Sequence, residues 1–556
     1  MRKRLGWILA LLLVAGVAEL LVYNSLRRRH QIPPQVIGTR MDPELYRKLG
    51  PPEPIPPPKI RPPDGAPRPR PASWEPVTLS GPAPDLADLR AAVKGTNLII
   101  VVLDAMRADH LGSCGYDRDT TPNIDRLARE SVVFEQHFCQ FTQTTCSTAS
   151  LFTGQYPDTH GLVYERRGEL RDGSVMMDPE AFTLAKAMEK AGCATSLISA
   201  NAFASPKFGV GEEFQDAFLL GRRQLTEERR RGASRAQRRT EEIPGRVRTA
   251  PRLLEVACNR IADMKGKRFF TYVHFLPPHY PYEASREVID RYRSKQPPGY
   301  WQGEPAFTQV YFRTWGDAPP ATGADWVNLY DANLRWADQA LGGLIAFLEE
   351  SNLLEKSLLI VTADHGEALG EHRYEFHATC PYDEATHIPL LIRFPGGKGP
   401  VGRVRVLTET VDVLPTLMEL YGLWYPREMV QGRSLTGLLT GEREELHDYV
   451  FSRTAGHYPC YLVRSHDWAL LLYKGGKLRA LYDLRDDPRQ RYNVAEERAD
   501  QTGKVIRRFE QFARSQRYPP LHFADPNQKP PAREEVRRKA VSEETMRELK
   551  ALGYVD

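Results

Sequence analysis

Cysteine is scarce in this 556-residue chain: there are seven, an odd number, and no CxxC pair. That excludes a disulfide framework and offers no structural zinc motif. Net charge is also small, +5 from 76 Lys+Arg against 71 Asp+Glu, too little by itself to mark a nucleic-acid binder. Only one long apolar run occurs, Leu5–Tyr23. With 26% charged residues and a mean hydropathy of −0.48, a multi-spanning membrane protein is excluded. What is present is 41% hydrophobic residues and 10% aromatics. That supplies a sizeable core and excludes a wholly disordered chain.

The chain reads in four parts. Residues 1–29 open Met-Arg-Lys-Arg, continue through Leu5–Tyr23 with Glu19 as the one charge, and end Arg27-Arg28-Arg29. At ~1.5 Å per residue such a run just spans a ~30 Å hydrocarbon layer. The expectation is a single-pass signal anchor with the rest of the chain outside the cytoplasm. Gly16-Val17-Ala18 keeps a cleaved signal peptide, and a secreted or periplasmic product, as the alternative. Residues 30–94 read as a linker, with 17 of the 44 Pro between Pro33 and Pro84. Lacking donors and favouring polyproline II, it is a stiff spacer. Residues 95–440 carry the main domain and 441–556 a smaller one.

After residue 94, short apolar runs alternate with amphipathic stretches. Asn97–Leu103, Thr195–Ser199, Phe269–Phe275, Ser357–Thr362 and His387–Phe394 read as buried strands. Thr121–Ser131, Thr183–Ala191 and Ala324–Ser351 read as helices. This alternation predicts a doubly wound α/β sheet, with strand direction left open. Three runs end in residues capable of chemistry: Asp104 after the first, His274 and then His279 at the FFTYVHF run, and Asp364-His365 after SLLIVT. Ligands in such sheets bind beyond the carboxyl ends of strands. Six of the 14 His fall between His274 and His387. Carboxylates with imidazoles suit zinc or manganese, and carboxylates with carbonyls suit calcium.

The segments NLIIVVLDAMRADHLGSCGY (97–116), TTCSTASLFTGQYPDTHG (144–161), HFLPPHYPY (274–282), VTADHGEALGEH (361–372), ETVDVLPTLMELYG (409–422) and ELKALGYVD (548–556) resemble the sulfatase-like branch of the alkaline phosphatase superfamily. The resemblance covers nearly all of residues 95–556. It implies a three-layer α/β/α sandwich with a central, mostly parallel sheet and a C-terminal α+β subdomain. In that family a formylglycine precursor, Cys or Ser in Cys-x-Pro-Ser-Arg, precedes a Thr-Gly pair at fixed spacing. Counting back from Thr153-Gly154 puts Thr144 there, with Cys146 at the proline position, Ser147 at the serine and Thr148 at the arginine. The Cβ methyl of Thr means that the same oxidation would stop at a ketone. The expectation is therefore a Thr nucleophile, as in related phosphotransferases and phosphodiesterases.

The resemblance also implies one divalent metal ion (zinc, manganese or calcium) held by Asp104, Thr144, Asp364 and His365. Ala105 stands where the family's second acidic ligand would be. It implies substrate-side roles for His377 and for His274 or His279. Arg107, Asp109, Glu367 and Glu371 read as structural, His160 as a turn residue or ligand, and His372 as an exposed loop residue. The expected activity is a metal-dependent phosphoesterase or phosphotransferase acting on an ester substrate, an envelope glycan or a lipid headgroup. A sulfatase lacking formylglycine, or a non-catalytic binder of anionic polymers, is the alternative.

An arm at 221–251 holds ten Arg and four Glu. It reads as an insertion with a solvated face, or as an anion-binding arm; with no aromatic interleaved it predicts no nucleic-acid partner. The arm and residues 1–29 together carry more positive charge than the whole chain, so the remainder is acidic. Past residue 440, Tyr461–Val463, Trp468–Tyr473 and Leu478–Leu484 read as a small antiparallel sheet, followed by a helix near Asp500–Ser515. Oligomeric state is not legible.

Overall fold

The computed structural model describes residues 75–81, 83–162, 181–206, 209–221, 241–244, 249–280, 282, 284–293, 323–373, 375–378, 381–455, 460–473 and 477–516. The expected anchor, most of the spacer and the Arg-rich arm, and the tail at 548–556 lie outside these residues.

Ten of the eleven strands of the main sheet are β1 (Val77–Leu79), β2 (Asn97–Leu103), β3 (Val132–Phe138), β4 (Ala194–Ser199), β5 (Asp216–Gly221), β6 (Glu241–Pro244), β7 (Phe269–Phe275), β8 (Ser357–Thr362), β9 (His387–Arg393) and β10 (Gly402–Val404), and the short strand Thr408–Glu409 pairs with β3 beside them. The ten lie in the order β1-β10-β3-β9-β8-β2-β7-β4-β5-β6. Strands β8, β2, β7, β4, β5 and β6 run parallel to one another. Strand β9 is antiparallel to both β8 and β3, and β1 to β10. The sheet is thus mostly parallel with an antiparallel flank. Direction was left open by the sequence because an apolar run of branched residues has no polarity.

Strand β2 shows how the layers form. All seven of its residues are buried. Leu98, Ile100 and Val102 point into one core, packed by helices α1 (Leu86–Val93), α3 (Thr144–Thr153), α4 (Leu184–Lys190) and α7 (Val413–Tyr421). Ile99, Val101 and Leu103 point into a second core, packed by α2 (Pro122–Ala128), α5 (Thr249–Asp263) and α6 (Gly323–Glu350). Side chains alternate across a strand, so a run buried on both faces must sit between two helical layers.

Two boundaries differ from expectation. Residues 75–94, assigned to the spacer, belong to the fold. Val77 pairs with Val404 on the sheet edge, and Asp85 caps α1 through a reciprocal capping box with Asp88. Leu89 and Val93 bury the helix's apolar face. Proline density ends at Pro84, and capping chemistry takes over one residue later. The expected insertion 221–251 also gives up its ends. Gly221 and Pro244 pair in a parallel ladder between β5 and β6, and Thr249 opens α5.

The C-terminal sheet is four antiparallel strands, β11 (Val450–Arg453), β12 (Cys460–Arg464), β13 (Trp468–Tyr473) and β14 (Lys477–Asp483). One face packs on helix α8 (Ala499–Ser515) through Val505, Phe509 and Ala513. The other face meets Ala368, Tyr382 and Ala385. It thereby backs the loop that follows Asp364.

Candidate active site

Four strand ends and one helix start converge. Asp104 directly follows β2, and its backbone N–H donates to the Phe275 carbonyl of β7 at 3.0 Å. His274 is the last residue but one of β7. Asp364-His365 follow β8. Asn201 follows β4. Thr144 is the first residue of α3, a helix buried along its whole length. Gly154 ends that helix at φ +64, a left-handed cap in which its N–H donates to the Ser150 carbonyl at 2.9 Å. This fixes the spacing between Thr144 and the Thr-Gly pair.

The side chains meet closely. Thr144 Oγ1 lies 3.4 Å from His365 Nε2, and Asn201 Nδ2 donates to it at 3.2 Å. The same Asn201 nitrogen donates to Asp104 Oδ2 at 2.5 Å. His274 Nε2 is 3.0 Å from Asp104 Oδ2, with Tyr272 Oη 2.8 Å from its Nδ1. His365 Nδ1 donates to the Gly366 carbonyl at 2.8 Å, so that in the neutral ring Nε2 is the lone-pair nitrogen. Gly366 is required here, because a Cβ would fall 2.2 Å from the Glu384 carbonyl oxygen.

The electrostatics favour a cation. The His365 Nε2 lone pair faces Asp364 Oδ2 at 3.5 Å and Asp104 Oδ1 at 3.7 Å. Both of those oxygens are buried and have no hydrogen-bond donor. Three acceptors aimed at one point repel unless a cation or proton sits between them. Ligand atoms of Asp104, His274 and Asp364 all lie within 4.8 Å of one another. Carboxylates with imidazole nitrogens fit a divalent metal with nitrogen affinity. Burial raises the Asp104 carboxyl, but His279, His274 and His365 outweigh it and hold the group well below its ordinary value. Burial opposes charging His274, yet the Asp104 hydrogen bond and the fields of Asp104 and Asp364 raise it.

Ala105, at the position of the missing acid, adopts φ +62. A residue with a Cβ is strained there by roughly 1–2 kcal/mol. Asp364 Oδ1 accepts its N–H at 3.2 Å, and Tyr330 Oη donates to its carbonyl at 2.8 Å. The strained turn therefore ties the β2 end to the β8 end.

Sequence-expected residues fall into two groups. Asp104, Thr144, Asp364, His365 and His274 meet at the centre. His274 stands inside the carboxylate cluster, whereas His279 and His377 form the outer edge. His377 stacks on His365 with ring centroids 4.3 Å apart, and the His279 ring lies tilted against His377 at 4.7 Å. Glu367 was read as structural, but its Oε1 accepts from His377 Nδ1 at 2.9 Å. Asn201 was not singled out, although it follows its strand just as Asp104 and Asp364 follow theirs. Arg107 has the structural role expected, pairing with Asp109 and Glu371 and donating to the Glu367 carbonyl. His160 is a buried structural residue. It hydrogen-bonds Ser150 Oγ and the Leu162 N–H, and burial pushes it down to about 3. His372 is not an exposed loop residue. It stacks on Tyr382 at 3.8 Å and contacts Glu384 Oε1 and the Arg489 and Gln490 carbonyls, because the C-terminal sheet covers that loop.

A strand-end carboxylate and imidazole cluster thus stands beside a hydroxyl at a helix N-terminus. The chain belongs to the sulfatase family, whose match covers residues 96–423. The N-sulphoglucosamine sulphohydrolase C-terminal family matches residues 370–516. The chain is 24% identical to an arylsulfatase of Clostridium perfringens over 74% of its own length and 93% of that protein's. It is 25% identical to a multifunctional alkaline phosphatase superfamily protein of Trinickia caryophylli, over 72% and 91%. Among solved structures, the phosphonate monoester hydrolase of Agrobacterium radiobacter shares the fold at TM-score 0.60 and 21% identity, covering 76% of this chain and 95% of that one. A protein solved with its substrate D-glucosamine-2-N,6-O-disulfate does so at 0.60 and 17%, covering 76% and 98%. The family and the fold thus match expectation, and both sulfate- and phosphonate-ester proteins stand among the relatives.

Proposed function

We propose that the protein hydrolyses or transfers phosphate esters through a covalent intermediate on Thr144. The observation that carries this reading is the position of Thr144 Oγ1. It sits at the start of a ten-residue buried helix, within 3.4 Å of the His365 Nε2 lone pair and 3.2 Å of Asn201 Nδ2. A helix N-terminus presents unpaired N–H groups and a positive dipole end to an anion. The chemistry of the residue argues for phosphorus, because a Thr cannot become the aldehyde that formylglycine sulfatases use.

Asp104, Asp364, His365 and Thr144, with His274 alongside, would hold a divalent metal. Bound there, such an ion supplies Lewis-acid charge neutralisation and a lowered hydroxyl pKa. The missing second acid at Ala105 and the imidazole donors favour zinc or manganese over calcium. Asn201 holds Thr144 Oγ1 in place. Thr144 Oγ1 attacks phosphorus in line and its proton leaves to the surrounding bases. A Thr–O–P bond forms, the ester P–O bond breaks, and the leaving alcohol takes a proton from the imidazole edge, His377 or His279. Glu367 fixes the His377 tautomer by accepting from Nδ1. Water or an acceptor alcohol then releases the phosphoryl group and regenerates Thr144.

Turnover of 4-nitrophenyl phosphate and 4-nitrophenyl sulfate by wild type and Thr144→Ala tests the reading. The expected result is phosphate turnover that falls by on the order of 10³-fold or more in the variant. Intact mass of quenched wild type should show one phosphoryl group on Thr144. Undiminished turnover in Thr144→Ala overturns it. Thr144-dependent turnover of sulfate alone moves the substrate to sulfate esters. We further propose that Leu5–Tyr23 anchors the chain, with the enzyme outside the cytoplasm, on the strength of its length and apolarity. Among the described residues no helix is long and apolar enough to cross a membrane. Recovery of the full chain in the soluble fraction without detergent overturns the anchor.

A further inference from the structure

Six non-glycine residues among those described have a left-handed backbone, and three of them, His372 (φ +51), Phe376 (φ +64) and Ala378 (φ +72), fall between positions 372 and 378. The last two flank His377. Such a turn costs a residue with a Cβ roughly 1–2 kcal/mol, and it persists only where the surroundings over-determine it. Here they do so. Phe376 pairs with Ala368 in a short antiparallel ladder. Its ring is buried and packs edge-on against Trp326 and Tyr280, with centroids 5.1 and 5.7 Å away. Ala378 is held through its backbone. Its N–H donates to the Thr142 carbonyl at 2.8 Å, and its carbonyl accepts from the Ala455 N–H at 2.9 Å.

Those two bonds join three parts of the molecule. Thr142 lies on the segment that leads into Thr144 and α3. The Thr142 N–H donates to the carbonyl of Arg453, the last residue of β11, at 3.2 Å, and the Arg453 N–H donates to the Gln140 carbonyl at 3.0 Å. The nucleophile segment therefore docks on the end of the C-terminal sheet, and Ala378 ties the His377 loop to both. With the Ala378 carbonyl held by Ala455, reversing the sign of φ would swing the His377–Ala378 peptide, whose N–H is the one bonded to Thr142. That peptide carries the imidazole that stacks on His365 and hydrogen-bonds Glu367.

We propose that Ala378 is a positioning residue. Its left-handed turn latches the His377 loop to the nucleophile segment and to the C-terminal sheet, so that a contact from outside the main domain sets the imidazole that serves the leaving group. This inference rests on the phosphate reading above, with His377 as the proton donor. The latch matters for esters whose alcohol needs a proton to leave. It matters little for esters of 4-nitrophenol, which leaves as a stable anion.

Phenyl phosphate and 4-nitrophenyl phosphate, with the full-length chain, test it. Ala378→Val puts a β-branched residue where φ is positive, a conformation it resists. Its kcat on phenyl phosphate should fall by about tenfold or more, and on 4-nitrophenyl phosphate by less than about threefold, with KM and metal content unchanged. Ala455→Pro deletes the donor on the other side of the latch and should reproduce this split if Ala378→Val does not fold. Ala378→Gly takes a positive φ without strain and should keep the wild-type ratio of the two rates. The double variant His377→Ala/Ala378→Val should be no slower on phenyl phosphate than His377→Ala. Equal losses on both esters, no loss on either, or additive losses in the double variant overturn the latch. A His377→Ala chain that keeps the wild-type ratio of rates overturns His377 as the proton donor and the latch with it, while leaving the Thr144 chemistry standing. Failure of wild type to turn over either ester overturns the phosphate reading itself.

Discussion

Two buried clusters in this molecule have nearly the same composition and opposite chemistry. One is the strand-end cluster of Asp104, Asp364, His274 and His365. The other joins the main domain to the C-terminal sheet and consists of Glu409, Asp412 and His447. All the carboxylates in both are nearly or fully buried. In the second, every carboxylate oxygen has a protein donor. Glu409 Oε1 accepts from the Phe451 N–H at 2.9 Å and Gln140 Nε2 at 3.3 Å, and Oε2 from Tyr156 Oη at 2.5 Å. Asp412 accepts from the Arg433 and Glu409 N–H groups, both at 2.7 Å, and from His447 Nε2 at 2.9 and 3.1 Å. In the first, Asp104 Oδ1 and Asp364 Oδ2 have none. A satisfied buried network specifies structure, whereas orphaned acceptors turned towards one another specify a ligand.

The largest expected effect separates the clusters by function. Asp364→Asn removes one orphaned carboxylate and leaves a side chain of the same shape. Metal content by mass spectrometry should drop, with a rate loss on the order of 10³-fold or more on 4-nitrophenyl phosphate. The metal-stripped variant should melt no lower than metal-stripped wild type, because an unpaired buried charge has gone. Wild-type metal content in Asp364→Asn, or a lower melting temperature when both are stripped, would show that the two clusters are the same kind of object.

The next effect falls on the other side. Asp412→Ala leaves His447 and two backbone N–H groups without their acceptor. Loss of a buried pair costs about 3–5 kcal/mol, measured as a lower urea midpoint. Metal stoichiometry should stay at the wild-type value. Loss of metal on this substitution would mean that the junction helps to shape the strand-end site, and the contrast would fail.

The sequence made one of these clusters legible and hid the other. Asp104 and Asp364-His365 follow unmistakable apolar strands, and in a parallel sheet that position alone points to a site. Thr144 followed from a count back from Thr153-Gly154, which holds because α3 is one unbroken helix capped by Gly154. Asn201 obeys the same strand-end rule, yet a polar residue after a strand is usually only a turn. Its partners lie 57 and 97 residues away in sequence. Glu367 lay inside a recognised motif, but only the fold turns it towards His377. The Glu409, Asp412 and His447 contacts span up to 269 residues and two subdomains. No local period announces such contacts, which are made by tertiary packing. Strand β3 escaped for a related reason, since Glu135 and Gln136 interrupt its apolar run at two half-exposed positions.

The smallest expected effect is a pH dependence carried by the satisfied cluster. Burial pushes the Glu409 carboxyl up to about 7, with Asp412 adding to the rise and His447 opposing it. Burial opposes charging His447, but Asp412 and Glu409 raise it overall. Both native pKa values exceed the unfolded ones, so the folded state holds protons that the unfolded chain has released. Stability from these groups is present at low pH and declines as pH rises from about 4.5 through 7. His137, behind the same junction, works the other way. Burial pushes it down to about 3, so its contribution increases between about 3 and 6.5. Comparing wild type with Glu409→Gln by urea unfolding cancels His137. The wild-type advantage should be largest at about pH 4.5 and below and shrink towards about pH 8, by on the order of 1–3 kcal/mol. A constant or growing advantage would mean that Glu409 is ionised throughout. The junction would then hold a buried charge cluster that is satisfied by geometry but not by protonation, which is closer to the strand-end site than its hydrogen bonds suggest.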